Sequence, residues 1–172
     1  MAIYTIKTGN HSASGLHFGV HFGIKGQSYK VNFSKECLYA PLDWENDYNK
    51  LCGWSYGMHH ANSIRIGWRP FMPLGSSILH YTPTSIELCI YVYENHTRRL
   101  SEKTLVVNVE RGYTLDLKYI TETNTVLLNV PELGNSTSMD YVSKPFLGYR
   151  LYPFFGGNIA SPKNMTIELH KL

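Results

Sequence analysis

Ser85–Tyr93 reads SIELCIYVY. Ile86, Leu88, Ile90 and Val92 fall in one alternating row, and Ser85, Glu87, Cys89, Tyr91 and Tyr93 in the other. Successive side chains of an extended chain point to opposite faces, so an oily row backed by a polar and aromatic row is a strand lying on a core. Ser63–Arg69, SIRIGWR, repeats the pattern, with Ile64, Ile66 and Trp68 on one side and Arg65 and Arg69 on the other. Downstream, KTLVVNVE, YTLDLKYITE and TVLLNV are further strand-like segments, separated by turns at Arg111-Gly112 and Thr123-Asn124. With Ser85–Tyr93 they form four strands at roughly ten-residue spacing, which predicts an antiparallel meander. ENHTRR, which contains Arg98-Arg99, reads as the polar turn between the first two.

The same alternation marks AIYTIKT at the N-terminus, Tyr149–Pro153, and MTIELH near the C-terminus. His17–Phe22 and Ser28–Phe33 flank Lys25-Gly26-Gln27 and predict a hairpin. No segment of ten residues has a helical period, and one short helical turn is expected near Asp43–Lys50, with Asp43 as its cap. Without helix–strand alternation, nine to eleven short strands predict an all-β, two-sheet antiparallel jelly-roll β-sandwich. The 172 residues, with no internal repeat or low-complexity linker, are read as one domain spanning residues 1–172. The expected core includes Ile64, Ile66, Trp68, Ile86, Leu88, Ile90, Val92, Val107, Val109, Leu128 and Ile167.

Composition narrows the function classes. A net charge of +3 with no basic block argues against a nucleic-acid partner. No run of about 18 apolar residues is present, so no membrane-spanning helix is expected. The N-terminal MAIYTIKTGNHS lacks the pattern of a secretion signal, so cytoplasmic synthesis is expected. Cys37, Cys52 and Cys89 form no zinc pattern, and Cys89 reads as a buried thiol. His59 and His60 are adjacent and His17 and His21 lie four apart, spacings unsuited to chelation from a strand. Neither a metal nor a cofactor is expected.

Asn49–Arg69, NKLCGWSYGMHHANSIRIGWR, is the densest in unusual side chains. Tyr and Trp give large contact area at small entropic cost and Arg gives a rigid donor fork, so both are enriched at interface hot spots. The expected working surface is therefore the polar–aromatic face, Arg65, Glu87, Tyr91 and Tyr93, with Trp54, Tyr56, His59 and His60 at its edge. Arg65 and Glu87 could pair across neighbouring strands. In the C-terminal loop, Phe154 and Phe155 are expected to plug the end of the sandwich. No Gly-x-Ser-x-Gly, phosphate loop or paired carboxylates can be nominated.

Three stretches carry a family resemblance: NKLCGWSYGMHHANSIRIGWRP, SIELCIYVYENHTRR and LYPFFGGNIASPKNMTIELHKL. Together they resemble a family of short β-proteins of Bacteroidetes bacteria and their phages, including crAss-like phages, over roughly residues 29–172. That family looks like a distant relative of the concanavalin A-like jelly rolls, a fold shared by lectins, polysaccharide lyases and virion proteins. The resemblance implies a non-enzymatic structural or adhesive module of a phage virion, whose partners are further copies of itself or other virion proteins. A carbohydrate-binding module is the first alternative, with glycans as partners. A polysaccharide lyase is the second, for which Arg65, Asn62, His60 and Tyr152 are the nominees.

Overall fold

Thirteen strands, arranged as two antiparallel sheets, make up nearly all the regular structure of the computed structural model, which describes residues 2–15, 19–40, 48–73, 82–142, 147–157 and 159–172. In chain order they are β1 (Ala2–Ile6), β2 (Val20–Phe22), β3 (Gly26–Phe33), β4 (Asn49–Ser55), β5 (Ser63–Pro70), β6 (Ser85–Glu94), β7 (Thr97–Leu100), β8 (Leu105–Asn108), β9 (Tyr113–Ile120), β10 (Thr125–Val130), β11 (Asn135–Asp140), β12 (Leu147–Leu151) and β13 (Met165–Lys171). Among the described residues the helical segments are two three-residue 3-10 turns, Lys35–Cys37 and Pro131–Leu133. Sheet A has the order β1-β13-β3-β9-β10-β11. Sheet B has the order β2-β12-β4-β5-β6-β7, with β8 continuing along the edge of β6 beyond β7.

The inward rows of the two sheets form one core. From sheet B come Trp54, Ile64, Ile66, Trp68, Ile86, Leu88, Ile90 and Val92; from sheet A come Val31, Phe33, Leu115, Leu117, Val126, Leu128 and Ile167, all fully buried. Phe33 and Trp68 meet across the interior with ring centroids 5.3 Å apart. Every expected core residue is buried except Val109, which is half-buried against the cluster. Such close-packed interdigitation of two oily faces is the main stabilising term of a sandwich. Among the described residues no disulfide joins the three cysteines, all of which are buried, and burial pushes the Cys37 thiol up to about 12.

Several local expectations need correction. The residues 85–130 do not form a single meander. β6 and β8 pair with each other in sheet B, and the chain then crosses to sheet A, where β9 and β10 form a hairpin. The turn after β6 is only Asn95-His96, both with positive φ (49° and 67°), as the tightest hairpins demand. Arg98 and Arg99 therefore lie in β7, opposite Tyr93 and Val92. β2 and β3 form no hairpin: β2 pairs with β12 in sheet B, and β3 sits between β13 and β9 in sheet A. Of the expected helical turn, residues 43–47 lie outside the described residues, and Asn49 and Lys50 begin β4. His17 also lies outside them. Phe155 is buried and packs on Tyr39, whereas Phe154 is exposed and stacks on His11. One Phe, not two, plugs that end.

Candidate functional site on the outer face of sheet B

The polar row of β6 faces away from the core, as its alternation requires. Antiparallel register sets its neighbours: Arg65 opposes Tyr91, Gly67 opposes Cys89, Arg69 opposes Glu87 and Ser63 opposes Tyr93. Glu87 therefore pairs with Arg69, which the register places directly across, while Arg65 stands opposite Tyr91. Lys50 of β4 opposes Gly67, and its ammonium lies 4.9 Å from the Tyr91 ring centroid and donates to the Gly156 carbonyl at 3.0 Å. The Arg69 guanidinium lies 4.3 Å from the Tyr48 ring centroid.

The middle of this face is covered. Tyr48, Cys89 and Tyr91 form a second buried cluster, with Tyr93 and Leu100 half-buried against it. Tyr91 is only 1% exposed, and Arg65 and Glu87 are 6% exposed. Burial, first of all, raises the Tyr48 phenol far above its ordinary value, with Cys89 and Glu87 adding to it. The sequence places Tyr91 on the outer row, and the structure keeps it there, but as a packed residue.

Accessible chemistry lies at one end of the face, where two loops meet. The β4–β5 loop closes on itself through Asn62 N–H donating to the Met58 carbonyl and Ser63 Oγ donating to the His59 carbonyl. It is tied to the β6–β7 turn by His96 N–H donating to the Ala61 carbonyl and Asn95 N–H donating to Asn62 Oδ1. These ties hold a continuous aromatic row. His59 Nδ1 is hydrogen-bonded to the Tyr149 hydroxyl. The His59 and His60 rings are 4.1 Å apart, His60 meets Tyr93 edge-on at 5.3 Å, and Tyr93 meets Tyr91 at 5.9 Å. His60 is exposed, and His59 and Tyr93 are half-buried.

Burial first, and neighbouring cations after it, disfavour the charged form of both imidazoles. Burial, then Arg65, then His60 lower the His59 value to about 4, and burial with Arg65 and Lys50 lowers that of His60. The sign of the stability effect follows. The folded-state value lies below the unfolded one near 6.5, so the unfolded chain takes up the proton first as pH falls. The contribution of His59 to stability is whole above about pH 6.5 and is lost progressively toward about pH 4. His60 and His21, lowered mainly by burial, add in the same direction. Melting temperatures of the wild type and His59→Gln between pH 7 and pH 4 should show a shallower decline in the variant. Parallel declines would remove His59 from this account.

The remaining nominees fall elsewhere. Trp54 opposes Ile64 on the inward row and is fully buried in the core. Tyr56 is also buried in the core, its hydroxyl donating to the Ile24 carbonyl at 2.7 Å. Neither lies at the edge of the outer face, because Asn49–Ser55 is a strand and not part of a loop. The lyase quartet is not assembled. Arg65, Asn62 and His60 are neighbours, but Tyr152 packs against Tyr4 of sheet A, with centroids 6.2 Å apart, in a cleft between the sheets and not on the outer face. Among the described residues no group of three or more His, Cys, Asp or Glu could hold a metal, and no helix is long and apolar enough to cross a membrane.

No protein-family model matches this sequence, and a search of the curated proteins returns no match. Solved structures to which the chain is similar include an alginate lyase from Alteromonas sp. 272, at 10% identity over 90% of this chain and 72% of that one, with a TM-score of 0.44. They also include CG-16, a homodimeric agglutinin from chicken liver, at 10% identity over 90% of this chain and 100% of that one, with a TM-score of 0.37. A third is the CBM40 of the Ruminococcus gnavus IT-sialidase bound to alpha2,3 sialyllactose, at 11% identity over 95% of this chain and 90% of that one, with a TM-score of 0.37. At this level of identity and overlap the likeness assigns no residue of this chain, and its class remains that of its own two sheets: an all-β, antiparallel sandwich.

Proposed function

We propose that this protein is a non-catalytic glycan-binding module whose contact surface is the loop end of sheet B, with His60 and Tyr93 at its centre and His59 beside them. The observation that supports it is the row of rings from Tyr149 to Tyr93, held by loop-to-loop hydrogen bonds and carrying the exposed imidazole of His60 within it. Aromatic faces offer apolar area to the C–H face of a sugar, and neutral imidazoles donate and accept hydrogen bonds with hydroxyls. A surface fixed before binding loses little entropy on contact.

A glycan array on the wild type, followed by titration of the best ligand into His60→Ala and Tyr93→Ala, tests this. Each variant should fold, since His60 is exposed and Tyr93 half-buried, and each should bind more weakly by about 1–2 kcal/mol, as expected for truncated hot-spot aromatics. Wild-type affinity in both variants would place the contact surface elsewhere.

A second reading, an assembling subunit of a particle such as a phage virion, is favoured by the margin of sheet B. There the short edge strand β2 sets Phe22, 76% exposed, directly opposite Leu147, 46% exposed. An exposed apolar edge strand is a template for pairing with another chain. Sedimentation of the wild type and Phe22→Lys distinguishes the two: a larger species in the first and a monomer in the second supports assembly, and a monomeric wild type leaves the glycan reading alone.

A further inference from the structure

We propose that the open margin of the sandwich, between β1, β3 and β13 of sheet A and β4 and β12 of sheet B, is a second binding site, for a small carboxylate that carries an apolar ring. The inward rows of these strands do not close. They leave a cleft of about 410 Å³, within the roughly 300–1,000 Å³ of small-molecule sites. It opens between the two sheets, whereas the row of rings around His60 lies on the outer face of sheet B.

The lining has two parts. Tyr4, Tyr152 and Leu169 supply an apolar wall, with the two rings 6.2 Å apart and tilted by 32°. Arg150 and Lys171 supply the charge, and among the described lining residues there is no carboxylate. Both cations stand in phase with the inward rows, Arg150 half-buried and Lys171 exposed just past the buried part of β13. In β13 the row Met165, Ile167 and Leu169 is buried and continues in phase to Lys171. In β12, Arg150 opposes the core residue Trp54. Two cations in the mouth of one cleft repel each other, and burial, then Arg150, hold the Lys171 ammonium below its ordinary value. An anion seated between them would relieve that repulsion, while the phenol wall takes the apolar part of the ligand. Backbone close to the cleft is already fixed: Arg150 N–H donates to the Gly19 carbonyl at 2.7 Å, and a Cβ on Gly19 would sit 3.2 Å from Arg150 Cδ and 3.3 Å from the Tyr152 hydroxyl.

Benzoate is the probe, with benzamide as its neutral analogue and acetate as the anion without a ring. Titration calorimetry and tyrosine resonances of the full chain should show saturable benzoate binding, with benzamide and acetate each at least about tenfold weaker, the worth of one charge-assisted contact or of a buried ring. Arg150→Gln should weaken benzoate about tenfold. Should that variant fail to fold, Lys171→Gln, at an exposed position, decides with the same readout. Tyr93→Ala should bind benzoate as the wild type does. Absence of saturable benzoate binding, equal binding of benzamide, or wild-type benzoate affinity in Lys171→Gln and in any folded Arg150→Gln overturns the proposal.

Discussion

Gly53→Ala is expected to lower the stability of the protein by about 2–6 kcal/mol, from about 1–3 kcal/mol of backbone strain and about 1–3 kcal/mol of steric overpacking. Gly53 lies in β4 with φ at +152°, a conformation that L side chains rarely adopt. A Cβ there would stand 2.1 Å from the Ile64 carbonyl oxygen and 2.7 Å from the Arg65 Cα. Both are backbone atoms of the neighbouring central strand, so no side-chain rotation relieves the clash. The close approach belongs to a register irregularity between Lys50 and Cys52, which turns Lys50 to the outer face while Cys52 and Trp54 return to the core. Gly57→Ala is the internal control: φ is +68° but nothing lies within 4 Å of the added Cβ, so only the conformational cost of about 1–2 kcal/mol applies. Urea midpoints of the two variants should separate clearly. Equal midpoints would show that β4 does not approach β5 as described.

That same irregularity explains which parts of the fold could be read from the sequence. β5 and β6 have an unbroken period of two because each lies in the middle of a sheet, with one face on the core. β4 is equally central and is buried at every position, yet its alternation is broken at Leu51 and interrupted by a glycine, so NKLCGWS looks like a loop. β11, NSTSMD, is an edge strand with a single buried residue, Thr137, and such a strand needs no oily row. Which strand joins which sheet was not legible either. Alternation shows that a segment has an inner face, but the crossings at Gly23–Lys25 and after β8 depend on long-range pairing, which leaves no local mark.

The site was legible in the same proportion. Arg65, Glu87, Tyr91 and Tyr93 share the outer face because their spacing in β5 and β6 is even, and the structure keeps all four there. Their burial was not legible, since the covering Tyr48 and Leu100 come from segments whose pairing the sequence does not announce. Arg150 and Lys171 had a usable signal: a cation in phase with a buried row.

Trp54→Ala is expected to cost about 3–5 kcal/mol, and it decides between core and surface for the aromatic residues of Asn49–Arg69. Trp54 is fully buried opposite Ile64, so truncation leaves a large cavity between the sheets, and a domain of ordinary stability, about 5–15 kcal/mol, would lose much of its margin. Tyr93→Ala, by contrast, removes a half-buried ring at the loop end and should leave the denaturation midpoint much closer to that of the wild type. Glycan binding should respond in the opposite order. Trp54→Phe, which keeps most of the buried volume, should bind with wild-type affinity wherever it is folded, while Tyr93→Ala is folded and weak. A Trp54→Phe protein that melts like the wild type but has lost its glycan would put Trp54 in contact with ligand and would move the site from the outer row of β6 to β4. Stability and affinity measured on the same preparations keep the two explanations apart, because a core residue changes the folded fraction and a contact residue changes the dissociation constant of the folded protein.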